Sequence, residues 1–254
     1  MRVNIVGSGT LLPNDCHHSP GHLVEVGHAS ILLDCGSGVL HGLARDGRDW
    51  RAISHVAISH FHTDHFGDLP ALLWAWTHGV PKQDQRARKL FGPKGMSRVL
   101  GALADAHGDF VLEPGCALDV VELGPNDAWE DPYGDFVLRT HKTRHTKESV
   151  AYRVETEGSA IGYTGDTGPH PPLGVFLRGM ELLISECSVP DDAPVENHLS
   201  PRGVAELAAD AQPRTLVLTH IYPQVEREGL AERIRSLGFC GAVELAEDGL
   251  VIEI

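Results

Sequence analysis

The chain has 254 residues, 42% hydrophobic, 22% charged and 6% aromatic, values of a globular protein that exclude collagen-like, low-complexity and disulfide-scaffold classes. Its 21 Lys+Arg face 35 Asp+Glu, a formal charge of −14, and such a surface repels polyanions and anionic membranes at long range. The unusual count is 16 histidines, the residue that most often ligates metal and carries acid–base chemistry near neutral pH.

Apolar runs predict short strands over Val3–Val6, Leu23–Val26 and Ile31–Asp34, then a helix from about Val39 to Ala44 and a buried strand at Val56–Ile58. Helices are expected at Gly67–Trp76 and Ser97–Ala106, bracketing a strand at Lys89–Phe91. The middle is strand-rich, with Leu118–Glu122, Phe136–Thr140, Val150–Glu155 and Ile161–Thr164. A strand at Leu182–Glu186, a helix at Pro201–Ala211 and a strand at Thr215–Thr219 follow. The chain closes with a helix near Leu230–Ser236 and strands at Val243–Leu245 and Val251–Ile254. Pro201 directly after Ser200 suits the first helical position behind an N-cap. Strands in runs, then alternating with helices, predict an α/β fold of sheets covered by helices. No repeat or long linker divides the chain, so one domain over residues 1–254 is expected. Met1–Gly7 reads as a strand rather than a signal peptide, and no apolar run reaches the roughly 18 residues of a membrane span. Five scattered cysteines without a C-x-x-C pair predict a reducing, cytoplasmic setting.

One segment outweighs the rest: His60-Phe61-His62-Thr63-Asp64-His65, placed where the apolar run Val56-Ala57-Ile58 ends. In extended chain, positions two apart share a side, which puts His60 and His62 together. The chain then turns towards Gly67, and Asp64 and His65 face the same space. Imidazole and carboxylate at this density form a cradle suited to zinc, and also to manganese or iron. Two further buried runs end alike, Ile161–Thr164 in Gly165-Asp166-Thr167 and Leu216–Thr219 in His220. Strand ends are where α/β folds place function. A bridging carboxylate such as Asp166 suits two cations about 3.5–4 Å apart, the clamp used for hydrolytic displacement at phosphate.

The H-x-H-x-D-H pattern of His60–His65 resembles the metallo-β-lactamase superfamily. The likeness extends through Gly7-Ser8-Gly9, Leu32-Leu33-Asp34-Cys35-Gly36-Ser37-Gly38, Gly165-Asp166-Thr167, Glu186, His198-Leu199-Ser200 and Leu218-Thr219-His220. That order is most similar to the branch of ribonuclease Z and its small phosphodiesterase relatives. The resemblance implies an αββα sandwich with metals at one edge between two sheets. It implies that His60, His62 and His145 hold one metal ion, and Asp64, His65 and His220 a second, with Asp166 bridging. His145 stands at the family's spacing before Tyr152-Arg153; His141 is the competing choice. Two zinc ions would bring the pKa of bound water towards neutrality. Asp64 would also orient the attacking oxygen. His198, by the same resemblance, would serve as general acid or phosphate contact, oriented by Glu186, with Glu196 as an alternative partner.

Other features take plainer readings. His17 and His18 are expected on the surface, Cys35 and Cys187 as small buried fillers, and Trp74 and Trp76 in the core. The basic run Lys82–Lys94 reads as a solvated face. A tRNA-processing ribonuclease Z carries a long arm between the third histidine and the bridging aspartate, whereas only a hairpin-sized segment separates His145 from Asp166 here. Ser185-Glu186-Cys187-Ser188 also departs from the His-Glu-Ala-Thr of those enzymes. These departures and the acidic charge favour a small phosphodiester as substrate. The alternatives are tRNA 3′ processing with an arm from a partner in a homodimer, a lactonase, arylsulfatase or thioesterase on the same metals, and a non-catalytic metal protein, against which the complete ligand set argues.

Overall fold

In the computed structural model, which describes residues 1–254, the central strands are apolar on both faces. The first sheet holds β1 (Arg2–Gly7), β2 (Gly21–Val26), β3 (Ala29–Leu33), β4 (His55–Ala57), β5 (Arg88–Gly92) and β6 (Leu118–Glu122), and the last strand, β14 (Val251–Glu253), joins its edge. The second holds β7 (Ala128–Glu130), β8 (Val137–Lys142), β9 (Val150–Glu155), β10 (Ala160–Tyr163), β11 (Leu182–Glu186), β12 (Thr215–Thr219) and β13 (Ala242–Leu245). The strand orders are β14-β1-β2-β3-β4-β5-β6 and β13-β12-β11-β10-β9-β8-β7. Each sheet is half antiparallel and half parallel, the parallel parts being β3 to β6 and β10 to β13.

Residue alternation sorts the side chains into three layers. Ile31, Leu33, Leu182 and Ile184 point between the sheets and form one core with Val24, Tyr152 and Val217. Leu32 points outwards, under α1 (Val39–Arg45), α3 (Leu69–Gly79) and α4 (Met96–His107). Leu183 points the other way, under α5 (Pro171–Phe176), α6 (Pro201–Ala211) and α7 (Leu230–Ser236). Strands covered on both faces read as continuous apolar runs, which made them visible in the sequence. Each Leu or Ile fully buried in this way contributes about 1.5–3 kcal/mol. The architecture is the αββα sandwich that the resemblance implied. No helix is long and apolar enough to cross a membrane.

The structure departs from the expected elements in three places. The helix expected over Gly67–Trp76 is α3, and a separate short helix, α2 (Thr63–Phe66), precedes it unanticipated. The break falls at Asp68, whose N–H bonds to Cys35 O at 3.0 Å and whose carboxylate accepts Leu40 N–H at 2.9 Å at the start of α1. β7 was not anticipated, because three residues at a sheet edge are too few to show alternation. Nor was α5, whose opening Pro171-Pro172 pair signals a turn yet suits a first helical turn, where no N–H partner is required.

The chain ends meet. Met1 donates from its amino group to Ile254 O at 2.8 Å, Ile254 N–H returns to Met1 O at 2.9 Å, and Arg2 pairs with Glu253 at 2.7 Å.

Candidate metal centre

The residues singled out from sequence gather at one edge of the sandwich, beyond the C-terminal ends of the parallel strands. His60 and His62 follow β4 and Asp64 and His65 sit on α2; Asp166 follows β10, His220 follows β12 and Glu186 closes β11. His145 lies between β8 and β9, and His198 between β11 and α6. Left-handed backbone turns the chain into the site at Asp34 (φ 57°) after β3, at Gly165 (φ 54°) before Asp166 and at His220 (φ 53°). That conformation costs a residue with a side chain about 1–2 kcal/mol, offset here by the contacts below. At Gly165 a side chain is also excluded sterically, since a Cβ would stand 2.8 Å from Ser59 Cβ.

Ligand atoms of His60, His62, His145 and Asp166 lie within 4.8 Å of one another, as do those of Asp64, His65 and His220. Asp166 joins the groups: its carboxylate is 3.8 Å from His60 Nε2, 3.6 Å from His145 Nε2 and 3.4 Å from His65 Nε2. His62 Nδ1 is 3.0 Å from His145 Nε2, and His220 Nε2 is 3.3 Å from Asp64 Oδ2. His141 is elsewhere, with Nδ1 on Lys142 O at 2.9 Å and its ring against Phe176.

Hydrogen bonding fixes which ring nitrogens face inwards. His65 Nδ1–H donates to Asp34 Oδ2 at 2.7 Å, and His145 Nδ1–H donates to Asn197 O at 2.9 Å. Ser59 Oγ gives its proton to Asp34 Oδ2 at 2.7 Å, so His60 Nδ1–H must donate to Ser59 Oγ, 3.0 Å away. Ser188 Oγ likewise gives its proton to His220 O, so His220 Nδ1–H donates to Ser188 Oγ, both at 2.9 Å. Four rings therefore hold Nδ1–H outwards and turn Nε2 towards Asp64 and Asp166. Partners of this kind fix the tautomer and orientation of metal-binding histidines.

Three of the converging atoms, His60 Nε2, His65 Nε2 and Asp166 Oδ1, are buried without a hydrogen-bond partner. An unmet buried polar group costs about 1–3 kcal/mol, and a cation among them removes that cost. Imidazole and carboxylate donors suit zinc, manganese or iron. Burial holds His60 and His145 below the ordinary imidazole range, in the neutral form that ligates. Burial also opposes charge on His65, but the Asp166 and Asp34 carboxylates outweigh it and raise this ring well above that range.

An open cleft of about 660 Å³ lies over the cluster, and His198 lines it. His198 Nδ1–H donates to Glu186, 3.1 Å from either oxygen, which leaves Nε2 for the cleft. Glu186 is itself fixed by the N–H groups of Thr167 at 2.6 Å and Leu199 at 3.1 Å. Burial works against charge on His198, yet the Glu186 hydrogen bond and charge prevail and raise it above the ordinary imidazole value. Glu196, the alternative partner, pairs with Arg144 at 3.0 Å instead.

Some side chains depart from expectation. His17 and His18 line the cleft rather than an open surface. Trp76 is buried as expected, but Trp74 is 52% exposed against Phe110. Cys35 and Cys187 are buried and free. Asp34, Ser59, Ser188, Asn197 and Tyr222 carried no assigned role in the sequence. Asp34 ends a predicted strand, the same signal that marked Asp166, and its Oδ2 accepts from Tyr163 Oη as well, at 2.7 Å.

A two-sheet sandwich with a His/Asp cluster at one edge defines a metal-binding class. The sequence profile of the Beta-lactamase superfamily domain matches residues 29–221, and the chain belongs to the metallo-β-lactamase superfamily. It is 28% identical to a ribonuclease Z of Mycolicibacterium paratuberculosis, the alignment covering 98% of this chain and 96% of that one. Its fold matches the metallo-β-lactamase fold protein YhfI of Bacillus subtilis with a TM-score of 0.85 at 24% identity, covering 99% and 98% of the two chains. A diphosphatase of the PhnP family matches with a TM-score of 0.74 at 18% identity, covering 100% and 97%.

Proposed function

We propose that this protein is a binuclear metal-dependent hydrolase of the cytoplasm acting on a small phosphodiester. The observation that carries the reading is the set of four histidines whose Nδ1–H groups are held outwards while their Nε2 atoms converge on Asp64 and Asp166. His60, His62 and His145 are assigned to one cation, Asp64, His65 and His220 to the other, and Asp166 to both. Bound there, two divalent cations, zinc by preference, supply an activated water and withdraw charge from the scissile group.

The chain's own residues do the rest. Asp64 and Asp166 aim the nucleophile. The water oxygen, one proton of which is released to solvent on activation, bonds to phosphorus, the P–O ester bond breaks, and the leaving oxygen takes a proton from His198 Nε2. Glu186 keeps that ring oriented and charged. Names of relatives support chemistry at phosphate, one a ribonuclease and another a diphosphatase. The stretch between His145 and Asp166 is the β9–β10 hairpin alone, which argues against tRNA as the substrate. Free cysteines agree with a reducing compartment.

The test is hydrolysis of bis(p-nitrophenyl) phosphate, a lactone and an aryl sulfate by zinc- or manganese-loaded protein, with metal content measured on the same sample. Turnover of the diester with two metals per chain is expected. Preference for the lactone or sulfate overturns the phosphodiesterase reading, and fewer than two metals per chain overturns the binuclear one.

A further inference from the structure

The cleft is lined by 16 residues, and none of them is Lys or Arg. Three cations flanking it, Arg144, Arg45 and Lys142, already have partners. Arg144, next to His145, donates to Glu196 at 3.0 Å. Arg45 lies between Asp46 at 2.8 Å and Asp248 at 3.7 Å. Lys142 gives its ammonium to the carbonyls of Thr143 and Thr146, both at 2.6 Å. The formal chain charge of −14 adds a long-range repulsion for any anion not neutralised locally. The outer wall is instead neutral and in part apolar. Leu11 is 58% exposed there. Tyr222 faces the same space, its ring against His220.

We propose that the substrate brings a single negative charge to this cleft, on the phosphodiester being cleaved, and that the remainder is a neutral organic group packed against Leu11 and Tyr222. The inference rests on the phosphodiesterase reading above. The one charged ring in the lining, His198, is committed to the leaving oxygen, so a second phosphate on the same substrate gives up its hydration without a lysine or arginine to receive it, and it faces a protein of like charge. Diphosphates, nucleoside polyphosphates and nucleic acid are thereby selected against by the side chains themselves.

The experiment uses two compounds with one scissile bond and one leaving group, thymidine 5′-(p-nitrophenyl phosphate) and its 3′-phosphorylated form, with the metal-loaded full chain. The plain diester is expected to have a kcat/KM at least tenfold higher at low ionic strength, the gap narrowing as salt screens the charge. In Leu11→Arg the ratio is expected to move several-fold towards the 3′-phosphorylated compound, in KM rather than kcat. Equal or faster turnover of the 3′-phosphorylated compound by the unaltered protein overturns the inference and leaves the phosphodiesterase reading standing. Hydrolysis of neither compound overturns that reading, and the inference falls with it.

Discussion

The two sheets supply the candidate site in different ways. The first delivers His60, His62, Asp64 and His65 from one loop and one short helix, and a single buried carboxylate, Asp34, braces it by accepting from Ser59 N–H, Ser59 Oγ, His65 and Tyr163. The second delivers His145, Asp166, His198 and His220 from separate segments, and Asn197 O, Glu186 and Ser188 each hold one of them. A concentrated half depends on one brace, whereas a distributed half degrades piece by piece.

The largest effect is expected where the halves meet. Asp166→Ala should lower kcat/KM about a thousandfold, in keeping with the several kcal/mol that metal ions give such transition states, and should reduce metal per chain. Full metal content with full activity in this variant breaks the picture of a shared ligand. His62→Ala tests the first half directly, since lost activity with both metals retained contradicts its place as a ligand.

The braces come next. Asp34→Asn is expected to weaken metal binding about 10- to 100-fold, and Ser188→Ala by less than tenfold, measured by competition with a chelator. Equal losses in the two variants break the contrast between a concentrated and a distributed half.

Glu186→Gln sharpens the role of the second half. Glu186 raises the pKa of His198, and the acid form of that ring exists only below its pKa. Loss of the carboxylate lowers the pKa, so the alkaline limb of kcat against pH moves to lower pH, and kcat falls about tenfold with little change in KM. An alkaline limb that stays in place removes His198 as the acid.

The smallest effect concerns His22, a control in the core between the halves. Burial, with the nearby charge of His65, lowers this ring to about 3, and neither ring nitrogen has a partner. The folded protein keeps His22 neutral while the unfolded chain takes up a proton below about 6.5. Its contribution to stability is therefore complete above that pH and lost as pH falls towards 3, at about 1.4 kcal/mol per pH unit. In His22→Phe that slope should flatten and stability at pH 7 should rise by about 1 kcal/mol, read from urea unfolding midpoints. An unchanged slope assigns the acid sensitivity to another group.

The same contrast explains what could be read before the structure. The ligands after β4 stand within six residues, and spacing alone brings them together. Asp166 and His220 were visible as polar residues ending apolar runs. His145 needed the family resemblance, because nothing local separates it from His141; the β8–β9 loop does so in three dimensions. The braces were hidden, since Asp34 meets Ser59 across 25 residues and Tyr163 across 129. His17 and His18 read as surface because their loop is drawn over the site from afar, His18 N–H donating to Asp248 at 2.8 Å across 230 residues.

The pairing of β1 with β14 bears on the order in which the molecule assembles. Arg2 stands opposite Glu253, a contact that closes only when nearly all of the intervening chain has been made. Contacts of such long sequence separation form late and slow folding. During synthesis β1 can already pair with β2, but its other edge stays open, and an open edge recruits other strands. Nascent chains are thus exposed to misassembly along the edge of β1 that β14 later covers.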